Sequence, residues 1–218
     1  MERLNNMNDS LILKMVSACI VFASVIMIIA CDNDKKKDST SQLLPLLLFC
    51  PATTKYILYD GSTSDGFMVP TLVTQDNMCK ASSNKPVGAT KVHAFISLGQ
   101  PNSISNMPNN YNYNRCGKIY GPDGKSLIAN NWNDLLDGFI NMTLYAAGVL
   151  PDETEWWSAS KETGDADTVK DCNVFQSNDI AYRGICGISN RTDAGWIRYT
   201  VPTCNNTRHI LCICEIAE

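Results

Sequence analysis

The chain has 218 residues, 44% of them hydrophobic, and a formal net charge of -4. That is enough apolar material for one ordinary domain or two small ones, and the charge shows no basic stripe, which argues against a nucleic-acid partner. Ten cysteines are many for a reducing compartment, where thiols are few and mostly catalytic or metal-bound, so an oxidising location is expected.

Arg3 and Lys14 flank a polar start, an apolar run of about sixteen residues covers Met15 to Ala30, and Ile28-Ile29-Ala30-Cys31 closes it. The run is shorter than the ~20 residues that a spanning helix needs. It stops at a small residue followed by cysteine, which reads as a signal peptide over 1–30 with a lipobox-like end. Cys31 is then the lipidated N-terminus of the mature chain, held on the membrane by several acyl chains where one alone is marginal. A short uncleaved anchor, or a plain signal with a coincidental cysteine, is the competing reading. Residues 31–49 follow as linker: Asp32 to Gln42 is polar, charged and without apolar periodicity, hence a flexible tether. Leu43 to Phe49 is nearly continuous apolar sequence in which Pro45 opposes a helix, and packing on the folded domain is its favoured role.

One α+β domain is assigned to 50–218. Lys55 to Asp60 predicts a first strand stopped by a turn at Asp60-Gly61. Thr71 or Thr74 then caps a short helix with Leu72, Val73, Met78, Cys79 and Ala81 on its apolar side. Lys91 to Leu98 predicts a second strand and Gly99 to Asn114 a loop. Lys118 to Ala129 predicts a hairpin turning at Pro122-Asp123-Gly124, with Trp132 and Leu135-Leu136 as core. Trp156-Trp157 is a short buried strand, Gly164 to Thr168 an acidic loop, and Trp196 to Val201 a strand running into Cys204. The apolar run Ile210-Leu211-Cys212-Ile213 ends the chain as a terminal strand.

Setting aside Cys19 in the signal and Cys31 at the anchor leaves Cys50, Cys79, Cys116, Cys172, Cys186, Cys204, Cys212 and Cys214, an even set that fits a disulfide framework but does not choose its connectivity. Cys212-Ile-Cys214 has no second close ligand pair of the kind zinc requires, and no cofactor is expected. His93 and His209 are the two histidines. With no Gly-x-Ser-x-Gly, phosphate loop or His-Glu-x-x-His, a non-enzymatic role is expected. Adjacent strand residues face opposite ways, so one of Trp156 and Trp157 should face outward. Trp157 is favoured for the core, which leaves Trp156 as the binding anchor.

The ordered motifs Gln75-Asp-Asn-Met-Cys79, Val87-Gly-Ala-Thr-Lys-Val-His-Ala-Phe-Ile-Ser97, Lys118-Ile-Tyr-Gly-Pro-Asp-Gly with Asn131-Trp132, Trp157-Ser-Ala-Ser160, Asp171-Cys172 and Thr203-Cys204 with Ile210-Leu-Cys212-Ile together resemble the endostatin module of collagens. That module is a variant of the C-type lectin-like fold. With the lipobox, the chain resembles the leptospiral endostatin-like lipoproteins. This resemblance implies a lipid-anchored, surface-exposed protein of the outer membrane. Its partners would be host extracellular-matrix proteins such as laminin or fibronectin, or plasma proteins including complement regulators. A periplasm-facing structural lipoprotein is the alternative, kept open by Asp32 directly after Cys31. A calcium-dependent lectin is the third reading: Gln100-Pro101-Asn102 and Trp132-Asn133-Asp134 look like lectin tripeptides, but they precede Trp157, out of the lectin register. Asp165 and Asp167 read as a solvated acidic loop rather than an ion site.

The resemblance also implies Cys79 with Cys212 and Cys172 with Cys204. If the first and last strands pair antiparallel, Cys50 falls near Cys214, and Cys116 with Cys186 is left. An exchange of Cys212 and Cys214 between partners stays open, since both point to one face of a strand.

Overall fold

Alternation along the C-terminal strand β7 (Arg208–Ile216) organises the domain. Leu211 and Ile213 enter one buried cluster, while Ile210, Cys212 and Cys214 enter another. A strand buried on both faces has to be central in its sheet. The computed structural model describes residues 54–68 and 72–216. The signal, Cys31, the tether, Leu43 to Phe49, Cys50 and Thr71 lie outside the described residues.

β1 (Lys55–Ser64) runs antiparallel along the whole of β7, Lys55 opposite Ile216 and Ser64 opposite Arg208. The other edge of β7 is shared: β2 (Ala89–Ala94) pairs antiparallel at Ile213 and Cys212, and β5 (Glu155–Trp157) pairs parallel at His209. β3 (Lys118–Tyr120) lies parallel to β1, β4 (Leu127–Ala129) antiparallel to β3, and β6 (Cys186–Ile188) antiparallel to β5. The order is β4-β3-β1-β7-β5-β6, with β2 beside β7. Among the described residues three short right-handed α-helices accompany it: α1 (Leu72–Ala81), α2 (Met107–Asn110) and α3 (Trp132–Leu135). The domain is therefore α+β, a curled sheet with few helices and two disulfides among the described residues. No helix among those residues is long and apolar enough to cross a membrane.

On one face Tyr56, Leu58, Phe95, Trp132, Trp156 and Trp196 pack with Leu211 and Ile213, roofed by Leu144, Val149 and Leu150 from the long segment before β5. On the other, Ile57, Tyr59, Ile96, Trp157, Phe175 and Ile210 pack among six cysteines. The hairpin of β3 and β4 forms as expected, its turn closed by Asp123. One carboxylate oxygen of Asp123 accepts from the Lys125 and Ser126 N–H groups at 2.9 and 2.8 Å. These donors hold the carboxyl below the usual carboxylate range.

Three local expectations change, and one strand is added. β1 does not stop at Asp60-Gly61 but passes through a bulge there; a Cβ on Gly61 would stand 2.4 Å from Cys212 Sγ, so only glycine lets the disulfide approach. The stretch expected as a loop after Gly99 contains two turns of 3-10 helix and α2. The stretch from Trp196 is not a strand: Asp193 Oδ1 accepts from Gly195 N–H and caps a 3-10 turn at Ala194–Trp196, and the following residues make only isolated bridges. β6, which the sequence does not announce, is buried at all three of its residues and so lacks the polar alternation of a half-exposed strand.

The cysteines divide into bonded and free. Cys79 is joined to Cys212 and Cys172 to Cys204. Cys116 is also disulfide-bonded. The expected pairs Cys116–Cys186 and Cys50–Cys214 do not form, since Cys186 and Cys214 carry free, buried thiols. The register explains both. Cys116 sits beside β3 and Cys186 in β6, separated by β1, β7 and β5, or roughly 20 Å at the usual strand spacing, whereas disulfide Cα atoms lie about 6 Å apart. Cys214 faces Ile57 inside the sheet, not the strand end that its pairing with Cys50 required. Burial pushes the Cys214 thiol up to about 12, and burial, with the Glu155 charge next, pushes Cys186 well above the ordinary thiol value. Maleimide at pH 8 without reductant should therefore label neither thiol in the native protein and both Cys186 and Cys214 after denaturation. Peptide mass mapping checks this, and a denatured chain without free thiol would overturn the assignment.

Candidate functional site

Two neighbourhoods bring polar and exposed apolar side chains together. The first lies where β1 leaves its bulge and β7 begins. Asp60 and His209 sit in flanking positions of the paired strands, and His209 Nδ1 lies 3.0 Å from both carboxylate oxygens of Asp60. The Asp60 carbonyl accepts from Ser82 Oγ at 3.0 Å and from Asn84 Nδ2 at 3.2 Å, which ties the loop after α1 to the strand. A cleft of about 430 Å³ opens here, walled by Asp60, Asn84, Pro122, Tyr145, Val149 and Leu150. A separate hollow of about 320 Å³ lies along Glu153 to Glu155 and reaches Arg208 and His209. Arg208 Nε is 2.6 Å from Glu155 Oε2, and Thr200 Oγ1 donates to the other oxygen at 2.7 Å.

The other histidine is built into structure. His93 Nδ1 lies 2.7 Å from Asp76 Oδ2, the Ala94 N–H donates to Oδ1 at 2.9 Å, and Tyr111 stacks on the imidazole at 3.5 Å. Both histidines thus have carboxylate partners, separated by 17 and 149 residues in the chain. Neither separation is a local motif, so the sequence carries no signal for either pair.

The second neighbourhood is a rim around the Cys172–Cys204 bond. Gly66 N–H donates to the Cys204 carbonyl and Cys204 N–H to the Tyr182 carbonyl, at 2.6 and 3.1 Å. Phe67 forms a bridge with Gln176, and Asn178 Nδ2 donates to Asp65 Oδ2 at 3.1 Å. Gly66 is required at this crossing: a Cβ would meet Cys204 Cβ at 2.6 Å and the Ser177 carbonyl at 2.7 Å. Cys172, Asn173, Val174 and Phe175 form a left-handed turn with φ of 54 to 56°, a conformation unfavourable by roughly 1–2 kcal/mol per non-glycine residue. It is held by the disulfide and by Phe175, buried edge-on against Trp157 at 5.8 Å. Outward from this braced base project Phe67, Ile180 and Tyr182, with exposures of 53, 69 and 46%.

Trp156 is not the exposed anchor. It and Trp157 are both fully buried, because the sheet has a core on each face: Trp156 enters one and Trp157 the other. The rim residues that take its place carry no sequence signature beyond lying between Cys172 and Cys204, or just after β1. Among the lectin-like tripeptides, Gln100 Oε1 accepts from Ala166 N–H at 3.0 Å and Asp134 Oδ2 from Asn130 N–H at 2.6 Å. Asp165 accepts from Ser105 Oγ at 2.7 Å and Asp167 from Lys170 N–H at 2.9 Å, each bracing a loop. No group of three or more His, Cys, Asp or Glu side chains among the described residues is arranged to hold a metal ion. No family model matches the sequence, and no curated protein matches it.

Proposed function

We propose that the chain is a lipid-anchored lipoprotein of the outer membrane whose α+β domain, an endostatin-type variant of the C-type lectin-like fold, faces outward and binds host proteins without catalysis. The observation that carries this reading is the rim: three exposed apolar side chains, Phe67, Ile180 and Tyr182, on loops fixed by a disulfide and backbone hydrogen bonds. Apolar and aromatic side chains held on a rigid base are suited to protein contact, since little conformational freedom remains to be lost on binding. The bonds from Cys79 to Cys212 and from Cys172 to Cys204 support the endostatin-type arrangement, which pairs a helix with the last strand and closes the long loop region. The periplasm-facing alternative is favoured by Asp32 directly after Cys31.

The test uses the full chain in detergent micelles on a panel of laminin, fibronectin and complement regulators. Wild type is expected to bind at least one of them. Combining Ile180→Asp with Tyr182→Ser should weaken that binding by about tenfold or more, as loss of an anchor worth more than 1 kcal/mol implies. Equal binding by the variant overturns the rim reading. Protection of the domain from protease added to intact cells overturns surface display and leaves the periplasmic role.

A further inference from the structure

We propose that the cleft at Asp60 is a binding site for a lysine or arginine side chain presented on an extended protein segment. The site is separate from the rim and is built from different elements. Its walls are mixed in the way such a side chain needs. Pro122 is exposed and supplies apolar surface, with the edges of the core residues Val149 and Leu150 behind it, against which a methylene stem can lie. Tyr145, on the same wall, is 52% exposed, leaving an aromatic face open to a cation. Asp60 supplies the opposite charge; among the described residues its carboxylate meets only the Nδ1 edge of His209 at 3.0 Å, so further lone pairs stay available to a donor.

Charge complementarity selects the occupant. Asp152 and Glu153 are exposed on the segment that runs from the cleft to the second hollow. Arg208, a cation of that hollow, is already paired with Glu155 at 2.6 Å. The wall therefore offers carboxylates without a free guanidinium of its own to repel an incoming cation. The length of the feature points to a polypeptide rather than a free amino acid. Two hollows of about 430 and 320 Å³ lie at successive stretches of one segment, Gly148 to Pro151 lining the first and Glu153 to Glu155 the second, so a basic side chain in the first leaves the second for its flanking backbone.

Nα-acetyl-lysine methylamide and a Gly-Lys-Gly-Ser peptide are suitable probes, titrated into the full isotope-labelled chain in micelles and followed by amide chemical shifts. Saturable shifts are expected at Asp60, Tyr145 and Leu150, with the peptide also moving Glu153 and Thr154. The norleucine analogue, which keeps the stem and loses the charge, should bind at least tenfold more weakly. Asp60→Asn and Tyr145→Ala should each weaken lysine binding at least fivefold while leaving the rim variant's behaviour toward host proteins unchanged. If Asp60→Asn loses its native spectrum, Tyr145→Ala, at an exposed position, decides. Equal affinity for lysine and norleucine analogues, or shifts confined to residues outside the cleft, overturns the proposal. Because Ile180→Asp with Tyr182→Ser leaves this cleft intact, failure of the rim and failure of the cleft are read separately.

Discussion

Cys79→Ser combined with Cys212→Ser is expected to lower the unfolding free energy by about 5 kcal/mol, the loop-closure value for a separation of 133 residues. That is a large part of the roughly 5–15 kcal/mol that a domain has in all, so much of the variant population should be unfolded at 37 °C. The bond joins α1 to the central strand, at the point where Gly61 bulges to admit Cys212 Sγ. Removing Cys172–Cys204, which closes 32 residues, is worth less than 4 kcal/mol on the same scale. Its native-state contribution is smaller again, because the left-handed turn at Cys172 to Phe175 can relax once the crosslink is gone. The two double variants should therefore rank clearly apart in chemical denaturation under non-reducing conditions. Equal losses, or a larger loss from Cys172→Ser with Cys204→Ser, would contradict this assignment of strain and loop length. The second variant has its own signature: the domain stays folded while amides of Phe67, Ile180 and Tyr182 exchange faster, since the base of the rim is freed.

Strand positions were legible where sequence pattern and register coincide. Lys55 to Asp60, Lys118 to Ala129 and Ile210 to Ile213 show their apolar runs and turn residues openly, and each is a strand or hairpin in the structure. Legibility failed where a position depends on what lies on both sides of the sheet. Trp156 and Trp157 alternate as any strand pair does, but alternation says that the two face apart, not that one of them meets water. The segment from Ile140 to Leu150 roofs the face that Trp156 enters, and nothing local in its sequence announces that role. The thiols failed for a related reason. An even count suggests full pairing, yet Cys186 and Cys214 are small apolar residues of the core, a use of cysteine that composition cannot distinguish from a bridge. Asp60 and His209 meet only because β1 and β7 are antiparallel neighbours, a contact across 149 residues that no motif encodes.

Trp156→Ala should destabilise the domain by about 3–5 kcal/mol, the range for truncating a buried aromatic side chain. The indole is fully buried, its ring centroid 6.0 Å from Phe95 and 5.9 Å from Trp196. Its Nε1–H donates to the Trp196 carbonyl at 2.9 Å. Phenylalanine at this position would recover part of the packing but leave that carbonyl without its donor, a loss of about 1–3 kcal/mol. The same contact is closed from below by Gly187, where an added Cβ would stand 2.0 Å from the Trp196 carbonyl oxygen and 2.6 Å from Trp156 Nε1. Gly187→Ala should therefore destabilise although it deletes nothing, by forcing the tryptophan away from its acceptor. An exposed anchor would behave in the opposite way: Trp156→Ala would change stability by less than about 0.5 kcal/mol and act on partner binding alone. Denaturation of Trp156→Ala, Trp156→Phe and Gly187→Ala beside wild type separates these cases, because only an indole wedged between Phe95 and Trp196 makes all three variants unstable while leaving the rim unaltered in those that remain folded.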